Sequence, residues 1–564
     1  MGWPYHFVSL DDGQQVRRRQ LLDSYGQIAQ FSILLLPLIY QLSLGVRLLF
    51  GRLQRKHVYE PVKEHQSPVA SGFKQPAIDG TGSAWAKLRW ALDEPVAQGW
   101  ETRKEWLAIL VWGAWLLLLV LRDTGDDYLH LTRRFGIVAA SQLPLHYALA
   151  LKSWSPIQYL ARLSHESLNP YHRLLGRLII LLMTCHATLY LNFYFQNDLL
   201  QKRLKDSDVI LGLTSIISAL LIGTTALARI RHWNYRLFFY SHVMLSLSLL
   251  PILYFHVPYL RLYIIEATAI YILLIAQRNT EQSSTTATIE PFPGTNLLSI
   301  TIPLTPSLKK RNYTPGQHIY LSLPSLPQKL RINPFSIANP DPTSDNHIHL
   351  VVRTLNGTTA LLASLTKPPQ PTPILVEGPY GSANYFPDPA TYDRILFVAG
   401  GVGATFNLPI YRDLLRRSTA GDQVPPANFV WAVRKDEDAV WGVQVLSEQC
   451  KGILPKSFEI FVTGKGGSAS DGPPPIRNDS IELQEREGLL DTSASKEGIA
   501  EAVRRGRPNF RGIVDEVFEQ GGSGDRVAVL VCGPSDMGAS VRKEVGRWVW
   551  RGREVWWHSE EFGW

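Results

Sequence analysis

The stretch HRLLGRLIILLMTCH, residues 172–186, decides the fold, because it is an apolar helix-forming run that begins and ends in histidine. A second stretch, HVMLSLSLLPILYFH at 242–256, repeats the same spacing. Fourteen residues are close to four helical turns, so both histidines of a stretch face nearly the same way. At ~1.5 Å per residue they lie about 21 Å apart, near opposite edges of a bilayer core. The sequence therefore predicts two membrane helices that each carry two histidines.

These four histidines are candidate iron ligands. Ionisable side chains inside a membrane are costly and usually serve a function. If the two helices run in the same direction, His172 is level with His242, and His186 is level with His256. Imidazole is a common axial ligand of haem, so the spacing predicts two haems, each held by both helices. The alternative is that the histidines are ordinary polar groups satisfied between helices.

The remaining histidines of this region lack the repeated spacing. His146 has no partner fourteen residues away, and we expect it to pack between helices. His165 and His232 lie in predicted loops and are expected to be solvated. Arg173 and Arg177 follow His172, and they are expected to meet either haem propionates or lipid phosphates.

Seven apolar windows are long enough to span a membrane. The third is interrupted by Gln142, Pro144 and His146, and a polar loop at 51–104 separates the first from the second. The sequence predicts an N-terminal span with a loop over 1–104, then a six-helix transmembrane haem domain over 105–280. The windows lie near 28–50, 105–122, 135–151, 173–195, 208–228, 237–257 and 260–276.

Charge and cysteine content limit the possible functions. Lys and Arg in short loops mark the cytoplasmic side, so the basic loop at 228–236 predicts a cytoplasmic C-terminal half. Arg17-Arg18-Arg19 disagree with the matching orientation of the first span. The net charge of +8 forms no basic stripe with interleaved aromatics, so nucleic acid is not an expected partner. Three distant cysteines cannot build a disulfide framework or a thiolate metal cluster.

The second half of the sequence predicts two soluble domains. Short alternating strands at Leu297–Pro303, Gln317–Leu323 and His347–Thr354 predict an antiparallel β-barrel over 283–390. A buried strand at 395–399, a glycine turn and a helix near Phe406 begin an α/β nucleotide-binding domain over 391–564. The Gly-, Ser- and Asp-rich residues 464–525 predict a partly disordered insertion in that domain.

The barrel contains a candidate flavin site. Arg331-Ile332-Asn333-Pro334-Phe335-Ser336 offers a cation for phosphate, a ring for stacking and a hydroxyl for the edge of the isoalloxazine. Arg353, with Gly357, Thr358 and Thr359, offers a second cation and a helix start for a pyrophosphate. The alternative is that Pro334 is a strand-edge proline and Phe335 a core residue, which would explain half of the Arg331–Ser336 motif without any cofactor.

The α/β domain contains two glycine turns at strand ends. Gly400, Gly401, Gly403 and Thr405 lie between a strand and a helix, where backbone N–H groups can approach a diphosphate. Cys532-Gly533-Pro534 follow the strand Val527–Val531. Arg434 follows the strand Phe429–Val433 and can select the 2′-phosphate of NADPH. Each motif alone also fits a simple turn, and their order behind the barrel favours the nucleotide site.

With the four histidines, Asn333–Ser336, Gly378-Pro379-Tyr380-Gly381, Gly400–Thr405 and Cys532–Pro534 in this order, the chain resembles the fungal ferric-chelate reductases. It also resembles, more distantly, the NADPH oxidases. The similarity runs from about residue 105 to Trp564. It implies that cytoplasmic NADPH gives hydride to FAD, which passes single electrons through an inner and an outer b-type haem to a metal chelate outside.

The resemblance also implies roles for particular residues. Phe335 and Ser336 would contact the flavin ring, with Ser336 as a catalytic residue and Gly378 nearby. Arg507, in Gly506-Arg507-Pro508-Asn509, would lie at the ribose phosphate of NADPH. Phe562, as a second catalytic residue, and Trp564 would cover the flavin or nicotinamide. The family has His where this chain has Asn333, which affects flavin affinity or redox tuning.

The expected acceptors are ferric or cupric chelates or siderophores, and an iron permease–oxidase system is the expected partner. The plasma membrane is the expected location, with vacuolar or other endomembranes as alternatives. Two other functions remain open: an NADPH oxidase that produces superoxide, and a haem-binding membrane scaffold without catalysis. The extra N-terminal span and the Trp-ended tail favour a metalloreductase.

Overall fold

The computed structural model describes residues 4–35, 38–39, 41–43, 45–46, 80–97, 99–324, 333–355, 357–365, 371–464, 502–522 and 524–561. The chain forms two compact units. The first comprises Met1–Gly72 and Leu92–Thr280, and the second comprises Phe73–Ala91 and Glu281–Trp564. Part of the span predicted at 28–50 and most of the insertion predicted at 464–525 lie outside the described residues.

The first unit is helical. Among the described residues, five helical segments are long and apolar enough to cross a membrane, and they coincide with five of the predicted windows. These segments are Arg103–Leu121, His165–Gln196, Ser207–Thr225, Tyr235–His256 and Pro258–Glu281. The last begins with a 3-10 turn that continues into an α-helix. The helices of this unit are α1 Asp12–Phe31, α3 Arg103–Leu121, α4 Tyr128–Ser141, α5 Leu143–Ala148, α6 Pro156–Ala161, α7 His165–Gln196, α8 Leu200–Arg203, α9 Ser207–Thr225, α10 Ala228–Trp233, α11 Tyr235–His256 and α12 Arg261–Glu281. Helix α2, Gly80–Leu92, lies between α1 and α3 in the sequence, and all but its last residue belongs to the second unit.

The single span predicted at 135–151 is instead two short helices, α4 and α5, that meet at Gln142. The Gln142 amide nitrogen donates to the carbonyl of Ala29, and its oxygen accepts from Trp112 Nε1 at 3.1 Å. Pro144 lies in the first turn of α5, where its missing N–H costs nothing. Polar side-chain bonds and a proline therefore replace a continuous helix at this point.

Two of the three arginines that disagree with the predicted orientation have acidic partners. Arg18 forms an ion pair with Asp127 at 2.9 Å, and Asp127 also caps α4. Arg19 pairs with Asp23 one helical turn away. Arg18 and Arg19 therefore stabilise the N-terminal part of the helical unit.

The first half of the second unit is an antiparallel barrel. Its six strands have the order β4-β3-β6-β1-β2-β5. The Ile337–Leu350 bridge links the segment after β4 to β5 and closes the sheet. The predicted strands here are confirmed within one residue. The elements are β1 Gln282–Pro291, β2 Leu297–Pro303, α13 Pro306–Lys309, β3 His318–Ser322, β4 Asn333–Ser336, α14 Pro342–Asp345, β5 His347–Arg353, α15 Thr358–Ser364 and β6 Thr372–Tyr380.

The second half of this unit is a parallel six-stranded sheet with helices, in the order β10-β9-β8-β7-β11-β12. The strand order reverses between β7 and β11, where ligands bind in open α/β sheets. Its core includes the fully buried Phe397, Phe429 and Trp431. The elements are β7 Arg394–Gly400, α16 Ala404–Thr419, β8 Ala427–Val433, α17 Val440–Gln449, β9 Phe458–Val462, β10 Val503–Arg505, α18 Phe510–Glu519, β11 Val527–Cys532, α19 Ser535–Trp550 and β12 Val555–Glu560.

The end of the predicted insertion is folded. Strand β10 pairs in parallel with β9, and α18 buries Val514, Val517 and Phe518 against the sheet. Residues 503–519 therefore belong to the nucleotide domain, although residues 464–525 were predicted as one insertion. The three buried residues follow helical spacing, which the Gly- and Ser-rich composition of the preceding stretch obscured.

The two glycine turns of the parallel sheet touch through their backbones. A Cβ atom on Gly403 would lie 2.1 Å from the carbonyl oxygen of Cys532, which is a rigid backbone atom. By contrast, Gly401 has φ +54° and open space around a built Cβ atom. Glycine is therefore required at position 403, because a Cβ atom there would collide with the Cys532 backbone. It is favoured at position 401, because the backbone there adopts a left-handed conformation.

We predict that Gly403→Ala destabilises the second unit by about 3 kcal/mol or more, because overpacking against backbone is poorly relieved. Gly401→Ala is the control and should cost about 1 kcal/mol, the price of a left-handed residue. Thermal unfolding of the full-length protein, followed by tryptophan fluorescence, measures both. A smaller loss for Gly403→Ala than for Gly401→Ala would contradict the backbone contact.

Candidate functional site

The structure brings His172 and His242 together. Their ring centroids are 6.2 Å apart and the ring planes are inclined by 63°. His172 lies on α7 and His242 on α11, so two different helices present the two imidazoles. Two imidazoles on either side of one metal ion, with metal–nitrogen bonds of about 2 Å, have a similar separation. This arrangement leaves room for an atom between the rings.

Three of the four histidines are anchored by a backbone carbonyl. The Nδ1 atom of His186 lies 2.8 Å from the Thr132 oxygen, and that of His256 lies 2.7 Å from the Asp208 oxygen. The Nδ1 atom of His172 lies 3.1 Å from the His146 oxygen. A carbonyl can only accept, so Nδ1 carries the proton and Nε2 of the neutral ring offers a lone pair. Metal-bound histidines are held in this way.

The fourth histidine and His146 differ from these. His242 Nδ1 is buried and has no hydrogen-bond partner among the described residues. His146 stacks on His172, with ring centroids 4.1 Å apart and planes inclined by 9°. His146 thus packs between helices as expected, and its carbonyl also anchors His172. That second role was not visible in the sequence, because every residue has a carbonyl.

The donor set fits haem. Among the described residues, no group of three or more His, Cys, Asp or Glu side chains could hold a metal ion. A facing pair of imidazoles instead suits a metal whose other ligands come from a macrocycle. His172 and His242 form such a facing pair. The pairing of His186 with His256 stays a prediction from the sequence spacing.

Arg173 and Arg177 have a partner that the sequence analysis missed. Arg173 Nε lies 3.0 Å from Glu101 Oε1, and Arg177 Nη1 lies 3.3 Å from Glu101 Oε2. The Glu101 side chain is only 4% exposed, so it is a buried carboxylate shared by two cations. Neither expected ligand, propionate nor lipid phosphate, is needed to explain why these arginines lie here. Glu101 lies just before the α3 span, where an unpaired acid would be costly.

The flavin candidates lie on the barrel. Strand β4 carries Pro334, Phe335 and Ser336, all half-buried, and pairs with β3 so that Ser336 lies opposite His318. Gly378 has φ +124°, and a Cβ atom there would lie 3.3 Å from the His318 carbonyl oxygen, so glycine is required. Arg331 lies outside the described residues.

A second group of flavin candidates lies at the end of β5. Arg353 ends this strand, and its buried Nε atom has no hydrogen-bond partner within the described ranges. Gly357, with φ +79°, is the N-cap residue of α15, and Thr358 is the first residue inside that helix. The side chain of Thr358 lies outside what the structure describes. An orphaned guanidinium N–H beside a helix start fits an anionic ligand, as a flavin pyrophosphate would be.

The nucleotide candidates lie where strand order reverses. Gly400 ends β7, and Gly401 and Gly403 follow it. Cys532 ends β11, the neighbouring strand, and Gly533 and Pro534 follow it. A Cβ atom on Gly400 would lie 2.8 Å from Pro534 Cδ, so the two turns are in contact. Thr405 is buried, and its hydroxyl donates to the Val402 carbonyl at 2.8 Å. Thr405 therefore stabilises the turn, and its contact with a nucleotide stays a prediction.

Arg434 and Arg507 lie at the same edge of the sheet. Arg434 follows β8, and Arg507 lies two residues after β10. Both side chains are exposed. Because the strands are parallel, their carboxyl ends meet at one edge, which is also the edge of the glycine turns. The two arginines are thus both placed to meet an anionic group on a nucleotide.

A polar cluster near the C-terminus was missing from the sequence analysis. His558 Nε2 donates to Glu560 Oε1 at 3.0 Å, and Ser382 Oγ donates to the same oxygen at 3.2 Å. Strand β12 places Glu560 beside Cys532 of β11. The apolar residues 555–557 are the sequence signal that could have predicted strand β12, and with it the position of His558 and Glu560 at this edge of the sheet. Phe562 and Trp564 follow in the sequence and are outside the described residues.

The charges of this cluster are set by its surroundings. Burial raises the pKa of the Glu560 carboxyl, but the hydrogen bond from His558 and its nearby charge outweigh this and hold that pKa below its ordinary value. Burial raises the pKa of the Cys532 thiol, and the Glu560 charge adds to the effect. At neutral pH the site therefore combines an ionised carboxylate with a protonated thiol.

Comparison with known protein families gives three matches in sequence order. A model described as a ferric reductase like transmembrane component matches residues 135–253. A FAD-binding domain matches residues 282–384, and a ferric reductase NAD binding domain matches residues 392–546. The matches cover the helices with the histidines, the barrel and the parallel sheet.

Curated relatives carry corresponding names. A probable metalloreductase AIM14 of Scheffersomyces stipitis is 24% identical over 86% of this chain and 90% of its own length. A probable ferric reductase transmembrane component of Eremothecium gossypii is 26% identical over 68% of this chain and 57% of its own length. A probable cell surface ferric reductase kap2 of Aspergillus oryzae is 25% identical over 59% of this chain and 47% of its own length. The chain is therefore similar, in sequence order, to a ferric reductase like transmembrane component, a FAD-binding domain and a ferric reductase NAD binding domain, and it combines apolar helices with a FAD-binding barrel and an NAD-binding α/β domain.

Proposed function

We propose that this protein is an NADPH-dependent ferric-chelate reductase that carries electrons through FAD and two b-type haems to a chelate across the membrane. The observation that carries the proposal is the set of anchored histidines, which present Nε2 lone pairs on helices long enough to span a bilayer. The matches to a FAD-binding domain and a ferric reductase NAD binding domain indicate that the same chain also binds the two redox cofactors of the soluble half.

The α/β domain holds the electron donor. Its glycine turns expose backbone N–H groups to a diphosphate, and Arg434 and Arg507 offer cations to a 2′-phosphate. Glu560, kept ionised, and Cys532, kept protonated, lie at the adjacent strand ends, where the nicotinamide would meet the flavin. Phe562 and Trp564 follow directly and would exclude water from that meeting point. FAD, when bound, accepts a two-electron hydride and releases electrons singly.

The barrel holds the flavin. Ser336 offers a hydroxyl and Phe335 a ring on the half-buried strand β4, while Arg331, Arg353 and the start of α15 serve its phosphates. The orphaned Nε atom of Arg353 supports this assignment. Asn333, the first residue of β4, offers its side-chain amide as a hydrogen-bond donor to the flavin.

The membrane unit holds two haems at different depths. His172 and His242 bind the inner one, near the basic loop that includes α10. His186 and His256 bind the outer one, about 21 Å further along their helices. The bound haems supply one-electron carriers, and the chain fixes their spacing. The basic loop favours a cytoplasmic C-terminal half, and the expected site is the plasma membrane beside an iron permease and oxidase.

The acceptor distinguishes this proposal from its rivals. Purified protein is mixed with NADPH without oxygen, and haem absorbance is followed before ferric citrate or oxygen is added. We expect haem reduction within seconds, followed by much faster reoxidation with ferric citrate than with oxygen. Faster reoxidation by oxygen would indicate superoxide production, and no haem reduction at all would indicate a non-catalytic scaffold.

We predict that His186→Ala removes one of two haems per polypeptide, because one of the two side chains that would hold the outer haem is lost. The extracted-haem absorbance of the purified protein measures this ratio. His232→Ala is the control, since this exposed histidine lies in the basic loop and should leave two haems. A ratio unchanged by His186→Ala would remove that histidine from the ligand set.

We predict that Arg434→Ala raises the Michaelis constant for NADPH about ten- to a hundredfold and leaves NADH nearly unaffected. A charge-assisted bond to phosphate contributes roughly 1.5–3 kcal/mol, which corresponds to that range. Arg507→Ala tests the alternative carrier, and Arg551→Ala, at the end of α19, is an exposed control. Equal losses with both nucleotides would mean that the mutated arginine stabilises the fold and not the 2′-phosphate contact.

A further inference from the structure

The two histidines assigned to the outer haem meet their neighbouring helices in the same way. His186 on α7 bonds to the Thr132 carbonyl of α4, and Gly136 lies four residues after Thr132. His256 on α11 bonds to the Asp208 carbonyl of α9, and Gly212 lies four residues after Asp208. Two different helices thus repeat one pattern, a carbonyl at one position and a glycine one turn later.

The glycines are required by space. A Cβ atom on Gly136 would lie 2.7 Å from both Cε1 and Nδ1 of His186. A Cβ atom on Gly212 would lie 2.8 Å from Cε1 of His256. Both distances are shorter than a van der Waals contact, and an imidazole cannot bend away at its end as a flexible chain can.

Helix geometry explains the four-residue spacing. In an α-helix the carbonyl of one residue points toward the residue four positions later, whose N–H it accepts. A carbonyl oxygen has two lone pairs, so it can also accept from a side chain. Any Cβ atom at the later position would stand beside that second lone pair. Glycine leaves it open, and the imidazole fills the space.

We propose that Gly136 and Gly212 are positioning residues for the outer haem. Each forms a socket with the carbonyl one turn earlier, and the socket fixes both the tautomer and the ring plane of its histidine. The inference rests on the proposed function, since it takes His186 and His256 as haem ligands. Hydrogen bonding at Nδ1 also makes Nε2 a stronger electron-pair donor to a metal, which would favour the ferric state of the outer haem.

The inner pair is built differently. His172 bonds to the carbonyl of His146, which lies in the last turn of α5, where helix carbonyls lack intrahelical donors and need no glycine to open them. In the part of the chain that the structure describes, His242 Nδ1 has no hydrogen-bond partner, and two anchored rings occur in the outer pair but not in the inner pair. Loss of a socket should therefore affect the outer haem alone.

The test uses Gly136→Ala and Gly212→Ala in the full-length protein, with three readouts: haem per polypeptide, redox titration of haem absorbance, and low-temperature electron paramagnetic resonance. We expect the outer haem to be lost, lowering the ratio from two to one, or its potential to shift upward with an altered ferric signal. The inner haem should keep its potential and its signal.

Two glycines provide matched controls. A Cβ atom on Gly223, also on α9, would lie 2.8 Å from Ile180 Cδ1, a methyl group that can rotate away. A Cβ atom on Gly113 of α3 would meet Leu178 Cδ1 at an ordinary 3.5 Å. Gly223→Ala and Gly113→Ala should leave both haems unchanged.

A double variant separates positioning from folding. If Gly136 acts through the ring of His186, then His186→Ala combined with Gly136→Ala should match His186→Ala alone and keep the inner haem. Loss of the inner haem in the double variant but not in His186→Ala would overturn the proposal, because the glycine would then serve helix packing. Unchanged spectra and ratios in both glycine variants would also overturn it. A wild-type protein without two haems would instead defeat the proposed function.

Discussion

The hydrogen bond from an imidazole Nδ1–H to a backbone carbonyl is the interaction on which the membrane unit depends. It decides which ring nitrogen carries the proton, and so which one can donate to a metal. It also ties α7 to α4 and α11 to α9, because each carbonyl belongs to a neighbouring helix. Helix packing and ligand orientation are therefore consequences of the same contacts. The buried carboxylate of Glu101, shared by two arginines of α7, adds an ionic restraint near the other end of that helix.

The soluble unit uses the backbone in a comparable way. At the reversal of strand order the turns after β7 and β11 approach until Gly403 touches the Cys532 carbonyl. Side chains are excluded from this contact, so backbone N–H groups and strand ends remain available to a nucleotide. The polar cluster of Ser382, His558 and Glu560 lies at the same edge, where β12 runs beside β11. Backbone contacts thus determine the geometry at both ends of the proposed electron path: the glycine turns of the nucleotide domain and the anchored histidines of the membrane unit.

Much of this architecture could be predicted from the sequence, because apolar length, alternation and glycine turns are local signals. The spacing of His172 and His186 identified the α7 helix, and strand alternation located β2 and β5 within a residue. What sequence could not show depends on tertiary contacts. The carbonyls of Thr132 and Asp208 carry no residue-type signal, and the pairing of Glu101 with two arginines joins residues more than seventy positions apart. The break at Gln142 depends on its bonds to Ala29 and Trp112. The haem, flavin and nucleotide roles of the site residues stay predictions.

The central claim is that electrons cross the membrane through this one chain, and reconstitution into sealed vesicles tests it most directly. Ferric citrate and a ferrous-specific dye are trapped inside, and NADPH, which cannot cross, is added outside. Molecules whose soluble half faces outward should then reduce the trapped iron, and a His186→Ala variant should not. Reduction only of chelate added on the NADPH side, with the trapped iron left ferric, would contradict the account.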